Sequence, residues 1–232
     1  MHAQSDDFDF GGTTQAEFDQ FSRLFAQGMY ATPVEPATSR GFLAFDVGVA
    51  LTAVPVDTEA RYWSTAVKND FTVSDHFVVP KLVASKGLSI ATVSASYAKV
   101  QDSDISIIGG AIDVPLISGG IAVPSLTVRG AYSQLGGADN FEAKSMGVEV
   151  FIAKGFGPIT PYAAVGRMRA DTTGQPFFGI PTVVAVPPLT HESDFNRYTA
   201  GVRISLAVPK IVVEVTQAEE RSYAAKISVG LF

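Results

Sequence analysis

The sequence predicts a transmembrane antiparallel up-and-down β-barrel of about ten strands, preceded by a short N-terminal amphipathic helix. Three observations point to it. The composition is very apolar yet holds no span long enough for a membrane helix, apolar residues recur at every second position from residue 41 onward, and tight turns alternate with longer connections.

Apolar residues make up 47% of the 232-residue chain and charged residues 17%, against about 25% charged in ordinary soluble domains. Mean hydropathy is +0.22. The longest apolar run, Gly41 to Val56, carries Asp46, two glycines and Pro55, so it falls short of the roughly 18 uninterrupted apolar residues of a spanning helix. Either a very apolar soluble β-protein or a closed membrane barrel fits these numbers. The absence of cysteine excludes a disulfide scaffold and a thiolate metal site. A net charge of -6 argues against nucleic acid as a partner. Met1-His2-Ala3-Gln4 has neither a basic nor an apolar leader region and reads as the start of a mature exported chain.

Residues 1–40 form a helix and linker, and residues 41–232 the barrel. Thr14 and Glu17 have capping-box spacing, Phe18, Phe21 and Phe25 recur at helical intervals, and Gly28 offers a stop. Such a helix either lays a phenylalanine stripe on its neighbour or plugs the periplasmic mouth. Pro33 and Pro36 mark 32–40 as a linker.

The period then becomes two. Leu43, Phe45, Val47, Val49 and Leu51 share one face and Ala44, Asp46, Gly48, Ala50 and Thr52 the other. The same pattern places strands near 41–54, 77–86, 88–100, 104–116, 120–134, 141–155, 158–170, 194–207, 209–219 and 221–232. Each has about the nine to eleven residues, or slightly more, of a tilted membrane strand. Tight turns at Lys86-Gly87, Ser118-Gly119-Gly120, Gly155 to Pro158 and Val208 to Lys210 alternate with the connections 55–76, 101–103, 135–140, 171–193 and 218–221. This is the asymmetry of an outer-membrane barrel with short periplasmic turns. Ten strands put both termini on the periplasmic side.

If the apolar parity faces lipid, the other parity lines the lumen with Asp46, Lys81, Thr92, Ser94, Asp113, Arg129, Glu149, Arg167, Arg169, Arg203 and Glu214. These charges either pair to fill the lumen or line a narrow passage. No catalytic residue, metal-ligand spacing or cofactor motif stands out. His191-Glu192-Ser193-Asp194 is a linear polar cluster, which is not an oriented triad. From Gln175 to Leu189 the chain has no charge. Phe177, Phe178, Val183, Val184 and Leu189 there predict an apolar outer loop that meets a protein partner or an apolar ligand, or else a hairpin extending two strands beyond the membrane.

The last strand, Ser222 to Phe232, resembles the closing strand of Gram-negative outer-membrane proteins, whose terminal phenylalanine is part of the signal read by the barrel-assembly machinery. The resemblance implies that role for Phe232. It also implies a bacterial outer-membrane location and contact with outer-membrane lipid. Lys86-Gly87-Leu88, the Pro124 to Tyr132 segment with Arg129, and Thr160-Pro161-Tyr162 ahead of Gly166-Arg167 are similar to a group of uncharacterised proteobacterial outer-membrane proteins. That likeness implies a fold and a location and brings no activity. One departure concerns register: Leu231, Val229, Ile227 and Tyr223 form the apolar set, so Phe232 is one residue out of phase, and a bulge at Gly230 would restore it.

Three functions fit. The first is a narrow channel or transporter for a small solute, polar or apolar, the second a non-transporting docking or structural barrel, and the third, least supported, an outer-membrane hydrolase.

Overall fold

The computed structural model describes residues 8–38, 41–57, 59–66, 75–99, 105–176, 186–206 and 208–231. Helix α1 spans Gln15–Met29 and a single turn, α2, spans Arg61–Ser64. Ten strands follow the expected order: β1 Phe45–Pro55, β2 His76–Gly87, β3 Thr92–Lys99, β4 Ser106–Ile117, β5 Ser125–Gly136, β6 Phe141–Ala153, β7 Ile159–Gly174, β8 Leu189–Ser205, β9 Pro209–Gln217 and β10 Arg221–Leu231. Each pairs antiparallel with its neighbours in sequence, and β1 pairs with β10, from Phe45 opposite Leu231 to Ala53 opposite Tyr223. Closure leaves no edge along the body of the sheet, which is the condition for a β-structure to sit in hydrocarbon.

Side chains alternate as a pleated strand requires. In β1, Val47 and Val49 face outward, 51% and 46% exposed, while Asp46 and Ala50 are fully buried within the barrel. Leu82, Ile108, Val148, Val165, Val213 and Ile227 continue the outward apolar band around the wall. An exterior of this kind would be costly in water and suits lipid.

Connections sort by end. Among the described residues, 88–91, 118–124, 154–158, 206 and 208 lie at one end, and 56–57, 59–66, 75, 105, 137–140, 175–176, 186–188 and 218–220 at the other. The longest strands are β7 and β8, which pair continuously from Ile159–Ile204 to Gly174–Leu189. Part of the predicted 171–193 loop is therefore a strand hairpin that outgrows its neighbours. Leu189 is half-buried against the lumen's apolar core. Phe177, Phe178, Val183, Val184 and Phe232 lie outside the described residues. The β10 ladder passes Gly230, opposite Asp46, without a shift, so no bulge forms there.

Helix α1 begins as its sequence predicts. The Thr14 side chain accepts from the Glu17 backbone N–H, and the Glu17 carboxylate accepts from the Thr14 backbone N–H at 2.9 Å. Its end differs from expectation, because Gly28 is still helical and the helix runs on to Met29. A Cβ on Gly28 would lie 2.8 Å from the Phe77 ring, so this glycine makes room for a close approach and does not terminate the helix.

Candidate functional site

The lumen is occupied by the chain's own N-terminal segment. Helix α1 lies inside the end that carries the long connections: Gln15 Nε2 donates to Thr190 O at 2.9 Å, and Gln27 exchanges two hydrogen bonds with the Glu220 backbone. The sequence allowed either a phenylalanine stripe laid on a neighbour or a plug at the periplasmic mouth, and the stripe is what the helix presents to the wall. Residues 30–38 then descend through the barrel to reach β1 at the short-turn end, so the segment spans most of the lumen's height. The phenylalanines spaced for a helix pack there against Val54, Phe77, Ile107, Leu135 and Phe141, which point inward near the long connections.

That upper layer is an aromatic core. Phe8, Phe10, Phe18, Phe21 and Phe25 surround Phe141 with ring centroids 5.0–6.3 Å away, and Trp63 packs 5.8 Å from both Phe21 and Phe77. Each large side chain buried this way contributes about 1.5–3 kcal/mol. Two wall glycines admit the segment below. A Cβ on Gly147 would lie 2.5 Å from the Tyr30 hydroxyl, and one on Gly109 would lie 2.4 Å from Ala31 Cβ. The Ala31 N–H also donates to Ser133 Oγ at 2.7 Å.

The middle layer is ionic. Arg129 makes a two-pronged bond to Asp113 at 2.7 and 2.8 Å, stacks 4.5 Å over Phe151, and donates to Glu35 O at 3.1 Å. Lys226 Nζ lies 2.9 Å from both Glu35 Oε2 and Asp46 Oδ1, and Lys210 Nζ lies 2.5 Å from Asp46 Oδ2. Arg197 pairs with Glu149 at 3.3 Å and sits 4.7 Å over the Tyr30 ring. The Tyr162 hydroxyl donates to Glu214 at 2.7 Å, and Lys81 is buried within the electrostatic reach of Glu214. Isolated, each buried charge would cost several kcal/mol; paired in this way they fill the lumen and hold the inserted segment.

At the short-turn end a cavity of about 230 Å³ remains, lined by Thr38, Ser118, Ser125, Thr160 and Arg203 among others. Arg203 reaches Thr160 Oγ1 at 3.4 Å.

Of the nine charged residues expected in the lumen, Asp46, Lys81, Asp113, Arg129, Glu149, Arg203 and Glu214 point inward. Arg167 and Arg169 do not. They share the outward parity of Val165, and their partners are Asp194 at 3.5 Å for Arg167 and Asp171 and Glu192 at 3.3 and 2.7 Å for Arg169. Apolar residues occupy both faces of β7, Tyr162, Ala164 and Met168 inside and Ala163 and Val165 outside, so the sequence does not show its phase. Sequence reasoning missed Glu35, Arg197, Lys210 and Lys226. Lys226 shares parity with Ala224 and Ser228, so its face was readable. Glu35 was hidden in a stretch read as a linker, although it is the one charge between Tyr30 and Ala37. On β8, His191 and Ser193 face inward and Glu192 and Asp194 outward, and the carboxylate beside His191 is Asp19 of α1, at 3.0 Å.

No protein-family model matches the sequence, and no curated protein matches it. Solved structures similar to this chain are bacterial barrels. The N-terminal β-barrel domain of Pseudomonas aeruginosa OprF matches with 8% identity and a TM-score of 0.34, over 82% of this chain and 98% of that one. Acinetobacter baumannii outer membrane protein Omp33 gives 6% and 0.35, over 82% and 100%. The Ralstonia pickettii toluene transporter TbuX gives 8% and 0.33, over 88% and 93%.

Proposed function

We propose that the protein is an outer-membrane barrel closed by its own N-terminal segment, and that it works as a non-transporting docking or structural barrel. The observation that carries this reading is the fit of residues 8–38 into the lumen, sealed above by the phenylalanine core and fixed at mid-height by the Glu35–Lys226 ion pair. The outward apolar band supports the membrane location, and the short-turn end would then face the periplasm with the end of β10, while Phe8 lies at the other mouth. The barrel-assembly machinery would act on it during biogenesis, and outer-membrane lipid would surround it.

A solute passage is the second reading. It has one observation in its favour: β1 and β10 close the barrel without help from residues 8–38, so withdrawing the segment breaks none of the strand pairs. Single-channel recording in a planar bilayer separates the two. The full chain should pass no steady current, and Glu35→Lys, which places a cation against Lys226 and Arg129, should leak. Steady conductance by the unaltered protein would overturn the docking reading.

A further inference from the structure

The apolar parity of the outer wall does not stop where the strands end. On β1 the outward Val49, Val47 and Phe45 count back in twos to Leu43, and on β6 Val148, Val150 and Ile152 count forward, across Lys154, to Phe156. Ile90 between β2 and β3, Ile121 between β4 and β5, and Val208 between β8 and β9 complete a ring of apolar tips. Ile121 is fully exposed, and Ile90, Leu43, Val208 and Phe156 are 82%, 79%, 65% and 62% exposed. Every short connection thus presents a large apolar side chain, which water would penalise. The opposite end differs, because its connections expose Asp57, Glu59, Asp139, Glu219 and Glu220.

The charges beside these tips have one sign. Segments 41–45, 86–91, 116–125, 153–160 and 203–209 contain no Asp or Glu, and their charged residues are Lys86, Lys154 and Arg203. Two of the three also serve the turns themselves. Lys154 Nζ donates to Gly120 O and Ile121 O at 2.9 and 2.5 Å, and Lys86 Nζ donates to Phe42 O at 2.7 Å and lies 5.3 Å from the Phe42 ring. Other turn groups pair locally: Leu88 N–H with Ala91 O, Gly120 N–H with Val123 O, Leu206 N–H with Pro209 O, and Phe156 with Ile159 in both directions. Backbone can leave water only where its polar groups are satisfied in this way.

We infer that the short-turn end is a binding face for anionic phospholipid. Its apolar tips lie at the boundary between acyl chains and headgroups, and Lys86 and Lys154, their stems along the apolar rim, meet the lipid phosphates there. Three observations select lipid as the occupant: the tips continue the membrane-facing band, the rim is cationic without a counter-charge, and the turns satisfy their own backbone. The inference goes beyond the docking reading. It rests on the membrane location given with that reading and not on the closed lumen, so conductance does not decide it.

The test uses the full chain in bilayer discs of phosphatidylcholine and phosphatidylglycerol, open to water on both sides. The chain has no cysteine, so a fluorophore on Ile90→Cys, Ile121→Cys or Phe156→Cys marks one tip at a time. A nitroxide carried on the acyl chains should quench all three as it quenches a label on Val148→Cys in the band, and aqueous iodide should quench them several-fold less than a label on Asp139→Cys at the other end. If iodide reaches the tips as readily as residue 139 while residue 148 stays in lipid, the inference is overturned and the membrane location stands. If iodide also reaches residue 148, both are overturned. Tips shielded from both quenchers would be covered by protein, which overturns the inference as well.

The lipid class is read separately, by mass spectrometry of the intact protein from mixed micelles, which should retain phosphatidylglycerol ahead of phosphatidylcholine. Lys86→Gln with Lys154→Gln should lower that preference by about tenfold, and Lys86→Arg with Lys154→Arg should keep it. Absence of the preference, its survival in the Gln pair, or its loss in the Arg pair would overturn the assignment of the two lysines to lipid phosphate.

Discussion

Glu35 Oε2 and Lys226 Nζ are 2.9 Å apart and both side chains are buried, although 191 residues separate them in the chain. The contact joins the inserted segment to the last strand of the barrel. Lys226 also contacts Asp46 on β1, so one ammonium links the plug to both strands that close the cylinder.

Removing that carboxylate should therefore be felt by the whole barrel. Glu35→Ala leaves Lys226 with Asp46 alone and should cost about 3–5 kcal/mol, the usual penalty for breaking a buried pair from one side. Urea unfolding in detergent measures it. A change under about 1 kcal/mol would show that the pair is hydrated and contributes little.

The wall glycines predict an effect of opposite chemistry and the same outcome. Gly109→Leu places a side chain where Ala31 now lies, and should destabilise by about 1–3 kcal/mol through overpacking. It should also raise protease access to residues 30–38, read by limited digestion of the detergent-solubilised protein. Unchanged digestion would mean that the segment does not depend on this notch.

Most of the fold was legible because a strand's period of two survives in Val47, Val49 and Leu51, and because the turn glycines mark the short connections. The site was half legible. Parity located Asp46, Asp113 and Arg129, and misplaced Arg167 and Arg169 because β7 carries apolar residues on both parities, Ala164 and Met168 inside and Val165 outside. The residues that fill the lumen from outside the sheet, Tyr30 to Ala37, follow no period at all, so no pattern reading could place Glu35 in the barrel. The height of the helix depended on which wall residues were apolar inside. That is a pairing between distant segments, and a sequence does not display it.

The lipid face gives a third prediction. Val47→Arg or Val148→Arg, on the outer band, should cost about 2–4 kcal/mol in bilayer refolding. The sequence alone makes Ser94→Arg, on the other parity, a mild change. The structure reverses that, because Ser94 bonds Ser85 Oγ at 2.9 Å and borders Ala31 and Pro33. Its arginine should disturb the inserted segment and cost at least as much as an overpacked core site, about 1–3 kcal/mol.

Acid should loosen the start of α1. The Thr14 backbone N–H, the Thr14 hydroxyl and Arg61 hold the Glu17 carboxyl below its ordinary pKa. A group depressed in the folded state stabilises above its unfolded pKa, and that contribution fades as pH falls through the folded value. Amide exchange at Thr14 and Glu17 should accelerate below about pH 4, and Glu17→Gln should remove the pH dependence. A helix start that loosens with the same pH profile in the Gln variant would assign the effect to another group.

The central claim is that residues 8–38 occupy the lumen of the resting protein, and a cross-link tests it most directly. Ala31 N and Ser133 Oγ are 2.7 Å apart, so cysteines at 31 and 133 should be joined by a short membrane-permeant bifunctional thiol reagent added to the membrane-embedded protein, with the barrel still closed to current. If the pair fails to form and Cys at 31 instead reacts readily with a water-soluble maleimide, the segment is not in the barrel and the account is wrong.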